Sequence, residues 1–225
     1  MNSRYDTVAR GTTIMTNTIF WDVDTQIDFI DPLGKLYVPR VETIKSNIAD
    51  LTKIGAESGR LLGSVDAHTP RDNEFKEWPE HCVYGTPGQR KIPESTIAKI
   101  LYIPSTKLTR KQLSEAAEFS GQVIFEKHRN DVRTNPNVKP LFKLTDPDLT
   151  VIYGVVTEIC VDQAVNYIAG DLGYKSIVAV DSIKEIDSTR ANQCIANWEK
   201  LGVELIKTSD ILKMHKAHAF IRTTK

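Results

Sequence analysis

LTVIYGVVTEICVDQAVNYIAGDLGYKSIVAV, residues 149 to 180, contains one full strand–helix–strand cycle. Leu149–Val156 is a nearly unbroken apolar run. Val161, Ala164, Val165, Ile168 and Leu172 then recur at three- and four-residue spacing, the stripe of an amphipathic helix. Gly173 follows where a helix C-terminal cap sits. Ser176–Val180 resumes an apolar run. Runs that do not alternate suit strands buried on both faces, as in a parallel sheet covered by helices.

The same cycle recurs outward from this stretch. Thr18–Val23, Leu61–Val65, Val123–Phe125 and Val203–Ile206 are further strand-length runs. Val41–Ser58, Lys111–Phe119 and Ser188–Leu201 carry helical spacing, and Gly59, Gly121 and Gly202 stand near their ends. Six runs with helices between them predict an α/β fold with a central, mostly parallel six-stranded sheet. We expect one domain over residues 17–225, preceded by a polar extension at residues 1–16. Phe75–Pro93 carries Trp78-Pro79, Gly85, Pro87, Gly88 and Pro93 and reads as a loop. Ile100–Thr109 takes no assignment from its pattern.

Lys plus Arg number 29 and Asp plus Glu 29, in a chain of 225 residues. That balance gives no support for nucleic acid or an anionic membrane as partner. No apolar run approaches the ~20 residues of a membrane span, and residues 1–17 lack a signal-peptide pattern. The expectation is a cytoplasmic protein. Three cysteines, Cys82, Cys160 and Cys194, are too few and odd in number for a disulfide framework.

Open parallel sheets bind ligands beyond the carboxyl ends of their strands. The runs end on Asp22 and Asp24, on Asp66 and His68, on Glu126, Lys127 and His128, on Thr157, Glu158 and Cys160, and on Asp181 and Ser182. A parallel sheet brings these groups to one edge. Cys160 stands at a helix start, where unpaired N–H groups and a partial positive charge favour a thiolate; a cysteine in such a place is also often a small buried hydrophobe. Asp24 is a candidate to take the thiol proton, and Asp22 and Asp28 compete for the role. Alternation sends Asp22 and Asp24 to the same side of an extended strand, so periodicity does not choose between them. Asp66 and His68 at one strand end, with His81 from the following loop, form a carboxylate and two imidazoles suited to zinc, iron or manganese. Phe29, Phe75 and Trp78 can wall a flat substrate or simply pack.

On these residues the chain resembles the isochorismatase-like cysteine hydrolases, and within them the nicotinamidase (pyrazinamidase) group. Asp24-Thr-Gln-Ile-Asp28-Phe29 resembles D-x-Q-x-D-F. Ser64-Val-Asp66-Ala-His68-Thr-Pro70 resembles S-x-D-x-H-x-P. Trp78-Pro79-Glu-His81-Cys82-Val83-Tyr-Gly85-Thr86-Pro-Gly88 is similar to W-P-x-H-C-V-x-G-T-x-G. Gly154-Val155-Val156-Thr157-Glu158-Ile159-Cys160-Val161 resembles G-x-x-T-D-x-C-V. The resemblance spans residues 18 to 207. It implies a three-layer α/β/α, Rossmann-like fold and a catalytic triad of Asp24, Lys127 and Cys160, so it selects Asp24 over Asp22. It implies a cis peptide bond between Val155 and Val156, with the Val156 and Cys160 N–H groups as oxyanion hole. It also implies a divalent metal on Asp66, His68 and His81, substrate contacts from Phe29 and Trp78, a small-molecule amide substrate, and a homo-oligomer.

The chain departs from the group at Ala67, at His128, at Asn135-Pro136-Asn137, and in a long stretch between His81 and Lys127. The reaction implied is ammonia release from a small carboxamide through a thioester, with nicotinamide to nicotinate as first choice. A carbamoyl or ureido amide is the alternative substrate. A non-catalytic ligand-binding protein is a second class, against which a thiol, a carboxylate and an amine together argue. Ether cleavage is set aside by the metal-loop motif.

Overall fold

The computed structural model describes residues 17–58 and 60–223; the expected extension at 1–16 and the cap at Gly59 lie outside them. Seven strands form one sheet: β1 (Thr18–Val23), β2 (Leu61–Asp66), β3 (Ile100–Ile103), β4 (Gln122–Lys127), β5 (Leu149–Val155), β6 (Ser176–Lys184) and β7 (Glu204–Ile206). Their order is β3-β4-β2-β1-β5-β6-β7, and every pairing is parallel. The expected α/β architecture is found, with seven strands rather than six among the described residues and all of their pairings parallel. The added strand, β3, comes from the unassigned stretch and lies at the sheet edge.

Besides a single turn at Ile27–Ile30, the described residues form the helices α1 (Lys45–Ser58), α2 (Arg110–Ala117), α3 (Val138–Thr145), α4 (Asp162–Val165), α5 (Ser188–Lys200) and, after the last strand, α6 (Thr208–Thr223). Two π-helical turns, Thr157–Val161 and Asn166–Asp171, flank α4, so the predicted helix at 161–172 is an α-turn between two wider ones. Thr109 caps α2 by accepting from the Gln112 N–H, and the Gln112 side chain reaches back to complete a capping box.

Strand alternation builds two apolar layers. Trp21, Leu62, Phe125, Ile152 and Val178 face one layer, covered by Phe142, Val165 and Trp198. Phe20, Leu61, Val151, Tyr153 and Ile177 face the other, covered by Ile48, Leu51 and Ile211. Burying one such aliphatic side chain stabilises by about 1.5–3 kcal/mol. The central strands β1, β2 and β5 are buried along their whole length, which is why their sequences read as unbroken apolar runs. Among the described residues no helix is long and apolar enough to cross a membrane.

Candidate active site

The carboxyl ends of β1, β2, β4 and β5 meet as the strand endings predict. Lys127, the last residue of β4, is paired in register with Asp66, the last residue of β2. Its ammonium lies 2.5 Å from Asp66 Oδ1 and 2.8 Å from Asp24 Oδ2. Cys160 Sγ is 3.7 Å from the same nitrogen. Ser64 donates its hydroxyl to Asp24 Oδ1 at 2.8 Å. All of these side chains are buried.

Asp24 reaches this cluster by leaving the strand. Asp22 pairs in register with Tyr153 and lies on the Phe20 face. Alternation assigns Asp24 to that face too, where it could not meet Ser64 and Lys127. Asp24 instead has φ of +47°, a left-handed backbone, and its carboxylate turns to the opposite side. The two aspartates that periodicity leaves equivalent are thus separated by one backbone rotation. For a non-glycine residue that conformation costs on the order of 1 kcal/mol.

Cys160 sits one turn into the helical segment, in the π-turn Thr157–Val161. Burial pushes its thiol well above the usual cysteine range, and the Lys127 ammonium only partly offsets this. The site thus favours the thiol over the thiolate, and a neighbouring base would have to take its proton to make it a nucleophile. Burial also works against charge on Lys127, but the carboxylates of Asp24 and Asp66 outweigh it and hold the ammonium protonated. The Val155–Val156 peptide bond is cis, as the resemblance implies. Gly154 just before it has φ of +119°, and a Cβ there would come 2.1 Å from the Val23 carbonyl oxygen. Only glycine permits β5 to approach β1 so closely beside Asp24.

Asp66, His68 and His81 offer ligand atoms that all lie within 4.8 Å of one another. His68 directs Nδ1 to Asp72 Oδ2 at 2.9 Å, and His81 directs Nδ1 to the Pro79 carbonyl at 2.7 Å. Each imidazole thereby presents Nε2, with its lone pair, toward the cluster. His68 Nε2 is fully buried and has no hydrogen-bond partner. Burial lowers the His81 pKa and favours its neutral, ligating form. A buried, unpartnered imidazole nitrogen beside a carboxylate and a second neutral imidazole fits a divalent ion.

Phe29, Trp78, Val156 and Ile159 wall a pocket that opens onto Cys160, Asp66 and His81. Phe75, the third aromatic considered, packs edge-on against the His68 and His81 rings instead, at 5.2 and 5.7 Å. Two polar pocket residues escaped the sequence reading, as did the apolar Leu36 and Ile186. Glu74 brings Oε1 to 4.0 Å from His68 Nε2, and burial raises its pKa. Asn130, three residues after Lys127, lines the pocket as well. A carboxylate six residues beyond a candidate ligand histidine was the available signal for the first.

The departures from the group pattern resolve differently. Ala67 is buried and donates its N–H to the Lys127 carbonyl. His128 is half-exposed and faces Asp72 at 3.9 Å. Asn135 and Asn137 are buried and donate to the carbonyls of Ile103, Pro104, Thr106 and Glu126. They tie the exit of β3 to the exit of β4 and do not line the pocket.

The family model described as Isochorismatase domain matches residues 106–210. A nicotinamidase of Saccharomyces cerevisiae is 28% identical over 197 residues, covering 73% of this chain and 86% of that protein. A nicotinamidase pyrazinamidase structure from Acinetobacter baumanii matches with a TM-score of 0.70 at 20% identity, over 88% of this chain and 99% of that one. A pyrazinamidase of Pyrococcus horikoshii, solved in complex with zinc, matches with a TM-score of 0.67 at 21% identity, over 85% and 99%. Fold, family model and sequence relative point the same way: residues 106–210 match the Isochorismatase domain model, and the chain is similar to the nicotinamidases in sequence and in fold.

Proposed function

We propose that this protein is a cysteine amidohydrolase that releases ammonia from a small carboxamide, with nicotinamide as its first substrate. The observation that carries the reading is the Lys127 ammonium shared between the Asp24 carboxylate at 2.8 Å and the Cys160 sulfur at 3.7 Å. A buried thiol beside both a carboxylate and a fixed positive charge can lose its proton locally and keep the resulting charge balanced.

In this reading Asp24 takes the Cys160 proton, and Lys127 stabilises the thiolate. Sulfur attacks the carboxamide carbon, and the carbonyl oxygen becomes an oxyanion held by the N–H groups of Val156 and Cys160; such donors typically contribute about 10²–10³ in rate. Asp24 returns its proton to the nitrogen as the C–N bond breaks, and ammonia leaves. The acyl group remains on sulfur as a thioester. Asp24 then deprotonates a water molecule, which attacks the thioester and releases the carboxylic acid, and sulfur regains its proton. Phe29 and Trp78 hold the ring of the substrate. Asp66, His68 and His81 would hold a divalent ion, zinc first and iron or manganese otherwise. When bound, that ion supplies a Lewis-acid anchor for a heteroatom of the substrate ring.

The sequence relative's name and the zinc-bound Pyrococcus structure support the choice of amide and of metal. A single domain over residues 17–225 and a cytoplasmic homo-oligomer belong to the same proposal, and the unbroken seven-stranded sheet supports the first. The test is ammonia release from nicotinamide by wild type and Cys160→Ala. The reading expects release only from wild type; equal rates would sink it.

A further inference from the structure

Asp22 and Lys91 form an ion pair outside the catalytic cluster, on the other face of β1. Lys91 Nζ lies 2.9 Å from Asp22 Oδ2, and neither side chain has solvent exposure. Nothing in the proposed chemistry uses this pair. Two buried charges are costly to hold in place, so their position in the fold is informative.

The pair brackets the turn that carries Asp24. Thr25, the next residue, donates its hydroxyl to both oxygens of the Asp22 carboxylate, at 2.9 and 3.0 Å. Ile92, next to Lys91, donates its N–H to the Thr25 carbonyl at 3.0 Å. Gln26 and Lys91 form an antiparallel bridge, and Ile27 donates its N–H to the Arg90 carbonyl at 2.8 Å. The residues after Asp24 are therefore clamped by the Asp22 carboxylate and by one facing segment. A left-handed aspartate persists only where its surroundings over-determine it, and these contacts add to the Asp24 N–H donated to the Ser64 carbonyl and the Gln26 N–H donated to the Asp24 carbonyl.

We propose that Asp22 and Lys91 are positioning residues, an internal clamp that holds the Asp24 turn so that its carboxylate faces Lys127 and Cys160. The proposal rests on Asp24 being the proton carrier of the reaction. Neither residue touches the substrate; both act through the backbone of residues 24–26. The clamp also joins the segment after His81 to β1, so the loop bearing the third metal ligand and the proton carrier share one anchor.

The test uses the double variant Asp22→Asn/Lys91→Met, which removes both charges at similar volume and leaves no unpaired ion buried. Three readouts are taken: the thermal midpoint, kcat and KM for ammonia release, and the rate at which iodoacetamide alkylates Cys160, followed by peptide mapping. The alkylation needs no substrate. A positioning role predicts a folded protein whose kcat falls about tenfold or more, with KM within about twofold, and whose Cys160 alkylates more slowly. A folded double variant with wild-type kcat and alkylation overturns the proposal. If the double variant does not fold, Thr25→Val removes only the hydroxyl tie and carries the same readouts; the proposal expects a fall in kcat at unchanged KM, and wild-type behaviour overturns it. Asp24→Asn is the control. Slow alkylation there means that an unchanged double variant refutes the clamp alone; a wild-type rate there removes the role of Asp24, and the proposal with it.

Discussion

The Lys127 ammonium lies 3.7 Å from the Cys160 sulfur, yet burial outweighs that nearby charge and pushes the thiol above the usual cysteine range. Lys127 is committed to Asp24 and Asp66 as well. Its removal leaves two carboxylates and a thiol buried with no cation. Lys127→Met is expected to destabilise the fold by ~3–5 kcal/mol, the usual cost of stripping one partner from a buried ion pair. Ammonia release should fall by at least about 10². Urea unfolding and initial-rate assays check both; a stable, active variant would show that Lys127 is dispensable.

Stability should decline on the alkaline side. Burial raises the thiols of Cys82 and Cys160 well above their ordinary value of 9.0, and the carboxylates raise Lys127 above 10.5 against the effect of burial. The folded chain therefore keeps protons that the unfolded chain releases as pH rises past about 9. A raised folded pKa gives stability that is complete below the unfolded pKa and lost above it. Denaturant midpoints measured at pH 8 and pH 10 should be lower at pH 10; an equal or higher midpoint at pH 10 contradicts the assignment.

The metal site carries its own prediction. Zinc titrated into metal-free protein should raise the thermal midpoint, by about 2.7 kcal/mol in stability at a hundredfold excess over Kd. His68→Ala and His81→Ala should abolish the shift. Asp72→Ala leaves all three ligand side chains in place, removes the carboxylate that orients His68 Nδ1 and accepts from Thr69, and should weaken zinc affinity by about 10–100-fold. Competition with a chromophoric chelator measures this without any assay of activity. An Asp72→Ala affinity equal to wild type would show that the His68 ring needs no such partner.

How much of this was legible beforehand follows from where the physics is local. β1, β2 and β5 announced themselves because burial on both faces requires continuous apolar sequence. β3 did not. It is a four-residue edge strand, and Tyr102 within it is 44% exposed, so its run is short and mixed. Helix α3 was hidden by Pro140, which reads as a breaker but falls in the first turn, where a missing N–H costs little. Convergence of Asp24, Asp66, Lys127 and Cys160 could be argued from strand endings alone. The choice of Asp24 over Asp22 could not, because it turns on a single φ angle that violates alternation. Glu74 enters the pocket from the single 3₁₀ turn Asn73–Lys76 and Asn130 from a bend, both too short to carry a period.

The central claim is a thioester formed on Cys160 during amide hydrolysis. It is tested most directly by quenching the enzyme in acid during turnover of nicotinamide and mapping the acyl adduct by peptide mass. The account predicts an adduct on the peptide that contains Cys160, absent when the amide is omitted and absent in Cys160→Ala. Sustained ammonia release from Cys160→Ala at the wild-type rate, with no adduct on that peptide in wild type, would contradict it.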